Sequence, residues 1–120
     1  MNFEFPNIDQ GAFSYEDLIG QRRENAPRTK PKVVTSAYSV GPKDDLILAD
    51  ATAGAITVTL ETAVGADGRR HTVKKIDASG NAVTVACTGG QTIDGAATQA
   101  TAVRWTVFRV ISDGTNWMLV

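Results

Sequence analysis

Residues 33–120 predict an all-β fold, a small antiparallel β-sandwich or barrel preceded by an extended N-terminal arm. Three observations carry this expectation. Short runs rich in Val, Ile, Thr and aromatic residues recur every 8 to 12 or so positions, as strands do. Turn formers separate them: "VGPKDD", "DATAG", "VGADG", "DASGN", "TGG", "IDG" and "SDGTN". No stretch after residue 33 has convincing helical periodicity.

Taken in order, the predicted strands are "VVTSAYSV", "DLILAD", "AITVTL", "RHTVKKID", "NAVTVAC", "VRWTVFRVI" and "NWMLV". In "AITVTL", Ile56, Val58 and Leu60 share one face while Thr57 and Thr59 take the other, the alternation of a half-buried strand. Val83 and Val85 repeat it in "NAVTVAC". In "WTVFRVI", Trp105, Val107, Arg109 and Ile111 oppose Thr106, Phe108 and Val110, so both faces read as partly buried. His71 shares a face with Val73 and Lys75. Asp94-Gly95 in "TIDG" and Asp113-Gly114 in "SDGTNW" read as hairpin turns. The apolar end "WMLV" is then the second arm of the last hairpin, held in the sheet rather than left frayed.

Residues 1–32 have a different character and are read as an anchoring arm and tether, with the β module at 33–120. The segment carries five acidic and five basic side chains, three of the four prolines and three of the four phenylalanines. Its acids spread through the first 24 residues, whereas Arg22, Arg23, Arg28, Lys30 and Lys32 crowd its end. Ser14 can N-cap a short helix through "YEDLIGQRREN", which Gly20 interrupts. The apolar set Phe3, Phe5, Ile8, Phe13, Tyr15, Leu18 and Ile19 is too sparse for a separate core and too apolar for a solvated linker. Such a segment lies on a surface: its own domain, a neighbouring subunit or another protein. "NAPRTKPK" is an extended tether, because each proline fixes its own φ and moves its predecessor out of the helical region. Phe3, Phe5, Phe13, Tyr15, Leu18, Arg22, Arg23, Arg28 and Lys30 are therefore the candidate partner-binding residues.

Composition excludes several function classes. With 42% hydrophobic residues and a formal charge of −1, nothing draws the chain as a whole toward nucleic acid or anionic membrane. No apolar run approaches the roughly 20 residues that span a bilayer. The N-terminus lacks the basic start and apolar core of a signal peptide, so a soluble protein made in a cytoplasm is expected. The single cysteine, Cys87, reads as a small buried residue.

No enzyme, metal or cofactor constellation is expected. His71, the only histidine, has no triad or ligand partners at suitable spacing. Asp50, Asp67, Asp77, Asp94 and Asp113 sit at turns, where carboxylates cap backbone amides. "DASGN" and "DGTN" lack the oxygen-ligand run and closing Glu of a calcium loop. "GADGRR" has no following helix to bind phosphate. Arg69, Arg70, Lys74 and Lys75 form a local basic stripe flanked by Asp67 and Asp77, read as a solvated sheet face or a salt-bridged subunit seam.

From residue 38 onward, "DLILAD", "ITVTL", "KKIDASGNAVTV", "TIDG" and "SDGTNW" follow one another in an order that resembles a module of tailed-bacteriophage virion proteins: tail fibres, tail spikes and head-surface proteins. The resemblance covers over two thirds of the chain. It departs at Leu60-Glu61, where the family pattern has Leu-Pro, and at Trp105 and Arg109, where smaller or uncharged residues are usual. The resemblance implies a non-catalytic, trimeric β module of the virion exterior. A chain of 120 residues with one module and an arm fits a capsid decoration (cement) protein or short head fibre, with the arm on the major capsid protein. The alternative is a tail fibre, adaptor or receptor-binding protein recognising a host glycan through Trp105 and Trp117, with the competing expectation that both tryptophans are core residues.

Overall fold

The computed structural model describes residues 30–120. They form nine strands: β1 (Lys32–Val34), β2 (Tyr38–Ser39), β3 (Leu46–Ala49), β4 (Ile56–Thr59), β5 (Arg70–Lys75), β6 (Val83–Ala86), β7 (Thr98–Thr101), β8 (Val107–Ser112) and β9 (Trp117–Leu119). The strands lie in two open mixed sheets, one of five in the order β1-β3-β5-β8-β9 and one of four in the order β2-β4-β6-β7. The all-β class expected from the sequence is present. The helix proposed after Ser14 lies outside the described residues.

The antiparallel arrangement expected above requires correction. From β1 to β6 the chain alternates between the two sheets, so β1 pairs β3, β3 pairs β5, β2 pairs β4 and β4 pairs β6, all in parallel. The turn-forming separators "DATAG" between β3 and β4 and "DASGN" between β5 and β6 carry the chain across from one sheet to the other. Each strand in the opposite sheet thereby serves as the crossover that a parallel pair needs. Antiparallel pairing is confined to β5-β8, β6-β7 and β8-β9. The run "VVTSAYSV" is likewise split, β1 joining one sheet and β2 the other.

Strand alternation builds one core between the sheets. The five-stranded sheet contributes Val34, Ile47, Ala49, Val73 and Val110, and the four-stranded sheet Ile56, Val58, Val83 and Val85. Burying each of the valines and isoleucines among them contributes on the order of 1.5–3 kcal/mol before entropy is counted. The final hairpin closes as expected, with Ser112 opposite Trp117 and Val110 opposite Leu119. Asp113 accepts from the Thr115 amide (2.9 Å) and the Asn116 amide (2.8 Å) across its turn. Ile93 is buried, and Asp94 and Gly95 at φ 49° and 84° make the tight turn that brings Ala96 back opposite Ile93. The outer edge of β9 is covered by this segment: Trp117 N–H donates to the Thr92 carbonyl (2.9 Å) and Leu119 N–H to Asp94 Oδ1 (3.0 Å).

Candidate partner-binding face

The buried polar groups are all engaged in holding the fold. His71 is fully buried beneath β5: its Nδ1 donates to the Asp44 carbonyl (2.8 Å), and its Nε2 lies 2.6 Å from Glu61 Oε2. Glu61 also accepts from Arg69 (2.9 Å), and its backbone carbonyl accepts from the Trp117 indole (3.2 Å). Lys75, fully buried, donates to both oxygens of Asp77 at 2.9 Å. The Asp77 carboxylate further accepts from the Ala51 amide (2.8 Å), the Ser79 amide (3.0 Å) and the Ser79 hydroxyl. Partial burial pushes the Asp44 carboxyl up, but donors from Gly41 and Tyr38 outweigh it and hold it below the usual carboxylate range.

These contacts revise the basic stripe. The pleat turns Lys75 inward and leaves Arg70 and Lys74 on the outer face, while Arg69 pairs with Glu61, so the four cations do not form one stripe. Asp50, Asp77 and Asp113 cap backbone amides as expected, and Asp94 caps the amide of Leu119 rather than its own turn. The Asp67 carboxylate instead lies against Gly114. Cys87 is half-buried against the core, and burial raises its thiol above the ordinary value. Among the described residues no group of three or more His, Cys, Asp or Glu is placed to hold a metal ion.

The two outer faces differ sharply in chemistry. Outward positions of the four-stranded sheet are Ser39, Thr57, Thr59, Thr84, Ala86, Thr98 and Ala100, a surface of hydroxyls and methyls. Outward positions of the five-stranded sheet form registered rows: Val33, Leu48, Lys74 and Val107; then Leu46, Thr72 and Arg109; then Arg70, Ile111 and Met118. Val33, Val107, Met118 and Val120 are exposed, and no Asp or Glu occupies an outward strand position on this face. With strands about 4.8 Å apart, the face measures about 24 Å by about 17 Å, roughly 400 Å² in projection. The exposed valines and Met118 on it are interleaved with Arg70, Thr72, Lys74 and Arg109, a mixed apolar and cationic surface.

Trp105 stands at one corner of this face and is 54% exposed. Its N–H donates to the Lys75 carbonyl (2.8 Å), while the Lys75 N–H donates to the Thr106 carbonyl (3.0 Å), so two residues oppose one in a β-bulge. The bulge places Trp105 at φ 74°, a conformation that glycine normally supplies and that costs a bulky side chain about 1 kcal/mol or more. Arg104 stacks on the indole with Cζ 4.2 Å from the ring centroid, and Lys74 Nζ lies 5.4 Å away. The stacked Arg104 is tied to the Ile76 carbonyl (3.1 Å).

The two tryptophans therefore separate. Trp117 is fully buried and offers no ring face to a sugar, which removes it as a glycan platform; Trp105 is not the core residue that its strand pattern suggested. Of the arm residues, Lys30 is described and exposed. Phe3, Phe5, Phe13, Tyr15, Leu18, Arg22, Arg23 and Arg28 lie outside the described residues. The strained bulge at Trp105 and the absence of outward acids on the five-stranded sheet were not anticipated, although "LIL", "VFRVI" and "WMLV" already placed apolar residues at both strand parities.

No protein-family model matches this chain, and no curated protein matches it.

Proposed function

We propose that this chain is a structural protein of the tailed-phage virion, a capsid decoration (cement) protein or short head fibre. In this reading it is made in the host cytoplasm, assembles as a homotrimer and has no enzymatic, membrane or nucleic-acid role. The observation that carries the reading is the ordered succession of "DLILAD", "KKIDASGNAVTV", "TIDG" and "SDGTNW" along the β module. The spending of His71, Lys75, Glu61 and Asp77 on internal contacts, beside one apolar and cationic outer face, supports a body that is displayed and attached. The arm grips the major capsid protein or another virion protein through its phenylalanines and arginines. Binding only the assembled shell stabilises that shell by linkage, and three arms per trimer multiply a weak contact into firm attachment.

The second reading, a tail fibre or adaptor that recognises a host glycan, is favoured by one observation, the exposed Trp105 beside Arg104 and Lys74. Cosedimentation separates the two. A decoration protein pellets with purified heads and loses that binding on deletion of residues 1–32; binding to host cells but not to heads would favour the tail reading.

A further inference from the structure

We propose that the Trp105 corner of the five-stranded sheet is a binding site for an acidic sugar, a pyranose that bears a carboxylate. The proposal rests on the host-glycan reading of Trp105 and names its ligand class; it holds whether the β body sits on a head or a tail. Trp105 is the one exposed aromatic residue among the described residues, and its ring is 54% open to solvent together with its backbone. The chain keeps this bulky residue at φ 74°, where glycine would be less strained. An exposed ring adds nothing to the core, so the strain serves the placement of the indole at the surface.

The groups around the ring choose the ligand. Arg104 Cζ lies 4.2 Å and Lys74 Nζ 5.4 Å from the indole centroid, and among the described residues neither side chain is ion-paired with Asp or Glu. Both side chains only donate hydrogen bonds. The hydroxyls of an uncharged sugar donate as well as accept, so a donor-only pair leaves them half served, whereas a carboxylate accepts from both cations and matches the guanidinium fork. Arg104 is already positioned, because its Nε donates to the Ile76 carbonyl (3.1 Å) and its two Nη groups are left for a ligand. The C–H face of the pyranose then lies on the open part of the indole, with the carboxylate at the cationic rim. A nucleic-acid strand stacks its bases on successive aromatic rings, and a single exposed ring suits one sugar unit better.

The test is titration calorimetry on the full chain with sialyllactose and tri-galacturonate, set against lactose and galactotriose as their uncharged counterparts, with thermal unfolding of each variant as the folding control. At least one acidic probe should bind at least about tenfold more tightly than its counterpart. Trp105→Gly, whose backbone the bulge accommodates, should weaken that binding at least about tenfold while the chain stays folded. Arg104→Gln is the second variant and should erase most of the preference for the acidic probe. Equal binding of acidic and uncharged sugars would overturn the proposal and leave the host-glycan reading standing. Equally tight binding of inorganic phosphate or of an eight-residue oligothymidylate, or undiminished sugar binding by both variants, would also overturn it. Binding of none of the four sugars would overturn the proposal and the host-glycan reading together.

Discussion

Replacing Trp117 by Phe tests how the end of the chain is held. Trp117 is 0% exposed, its indole N–H donates to the Glu61 carbonyl (3.2 Å), and its ring lies 5.4 Å from that of His71. Phe retains most of the apolar surface but removes the donor, leaving a buried carbonyl short of a partner at a cost of about 1–2 kcal/mol. It also opens a cavity of roughly 40 Å³, worth about 1 kcal/mol at ~24 cal/mol per Å³. A loss of about 2–3 kcal/mol lowers the melting temperature of a body this size by roughly 10–20 °C. The assay is thermal unfolding by circular dichroism, beside Trp105→Phe, which keeps the exposed corner aromatic and should shift the midpoint by only a few degrees. Tryptophan emission supplies the control: in Trp105→Phe the remaining Trp117 should emit in the blue, as a buried indole does. Equal melting shifts for the two variants would refute the assignment of Trp117 to the core and Trp105 to the surface.

Three further outcomes follow from the same structure. Burial alone pushes the Asp77 carboxyl up, but its bonds from Lys75, Ser79 and the Ala51 amide outweigh this and hold it well below the usual carboxylate range. A depressed folded-state value gives stabilisation that is complete above the unfolded carboxylate value of about 4 and fades as the pH falls below it, so urea midpoints should drop from about pH 5 downward, and less steeply in Asp77→Asn. Gly114→Ala should destabilise, because a Cβ there meets the Asp67 carboxylate at 2.7 Å and φ is +96°, whereas Gly80→Ala meets nothing within 4 Å and should be neutral or stabilising by up to about 1 kcal/mol. Trp105→Gly should leave the melting temperature by circular dichroism unchanged or raised, since it relieves the strained bulge.

Strand faces were legible because they depend on a two-residue period that the side chains display directly: Ile56, Val58, Val83 and Val85 are buried as their alternation requires. The last hairpin and the Asp94-Gly95 turn were legible because their closing residues are adjacent in sequence. Sheet membership was not. "DATAG" and "DASGN" have the chemistry of a hairpin turn, and the same residues serve a chain that crosses to the facing sheet; only the distant pairing of β3 with β5 and β4 with β6 distinguishes the two. β7 was missed because "TQAT" has no apolar alternation to report. Lys75 reads as a surface cation until its partner Asp77, two residues on, is seen to turn back beneath the sheet. Glu61 is the hub that joins Arg69 and His71, neighbours at the start of β5, to Trp117 in the last strand. The strain at Trp105 lies in a backbone angle that sequence does not display.

The proposed function places this β body on an assembled particle, and counting its copies on purified virions of a phage whose genome carries this sequence tests that proposal most directly. Quantitative gel densitometry against the major capsid protein should give a ratio corresponding to hundreds of copies per head, released together with head binding when residues 1–32 are deleted. A handful of copies confined to tails, or none on the particle, would contradict it.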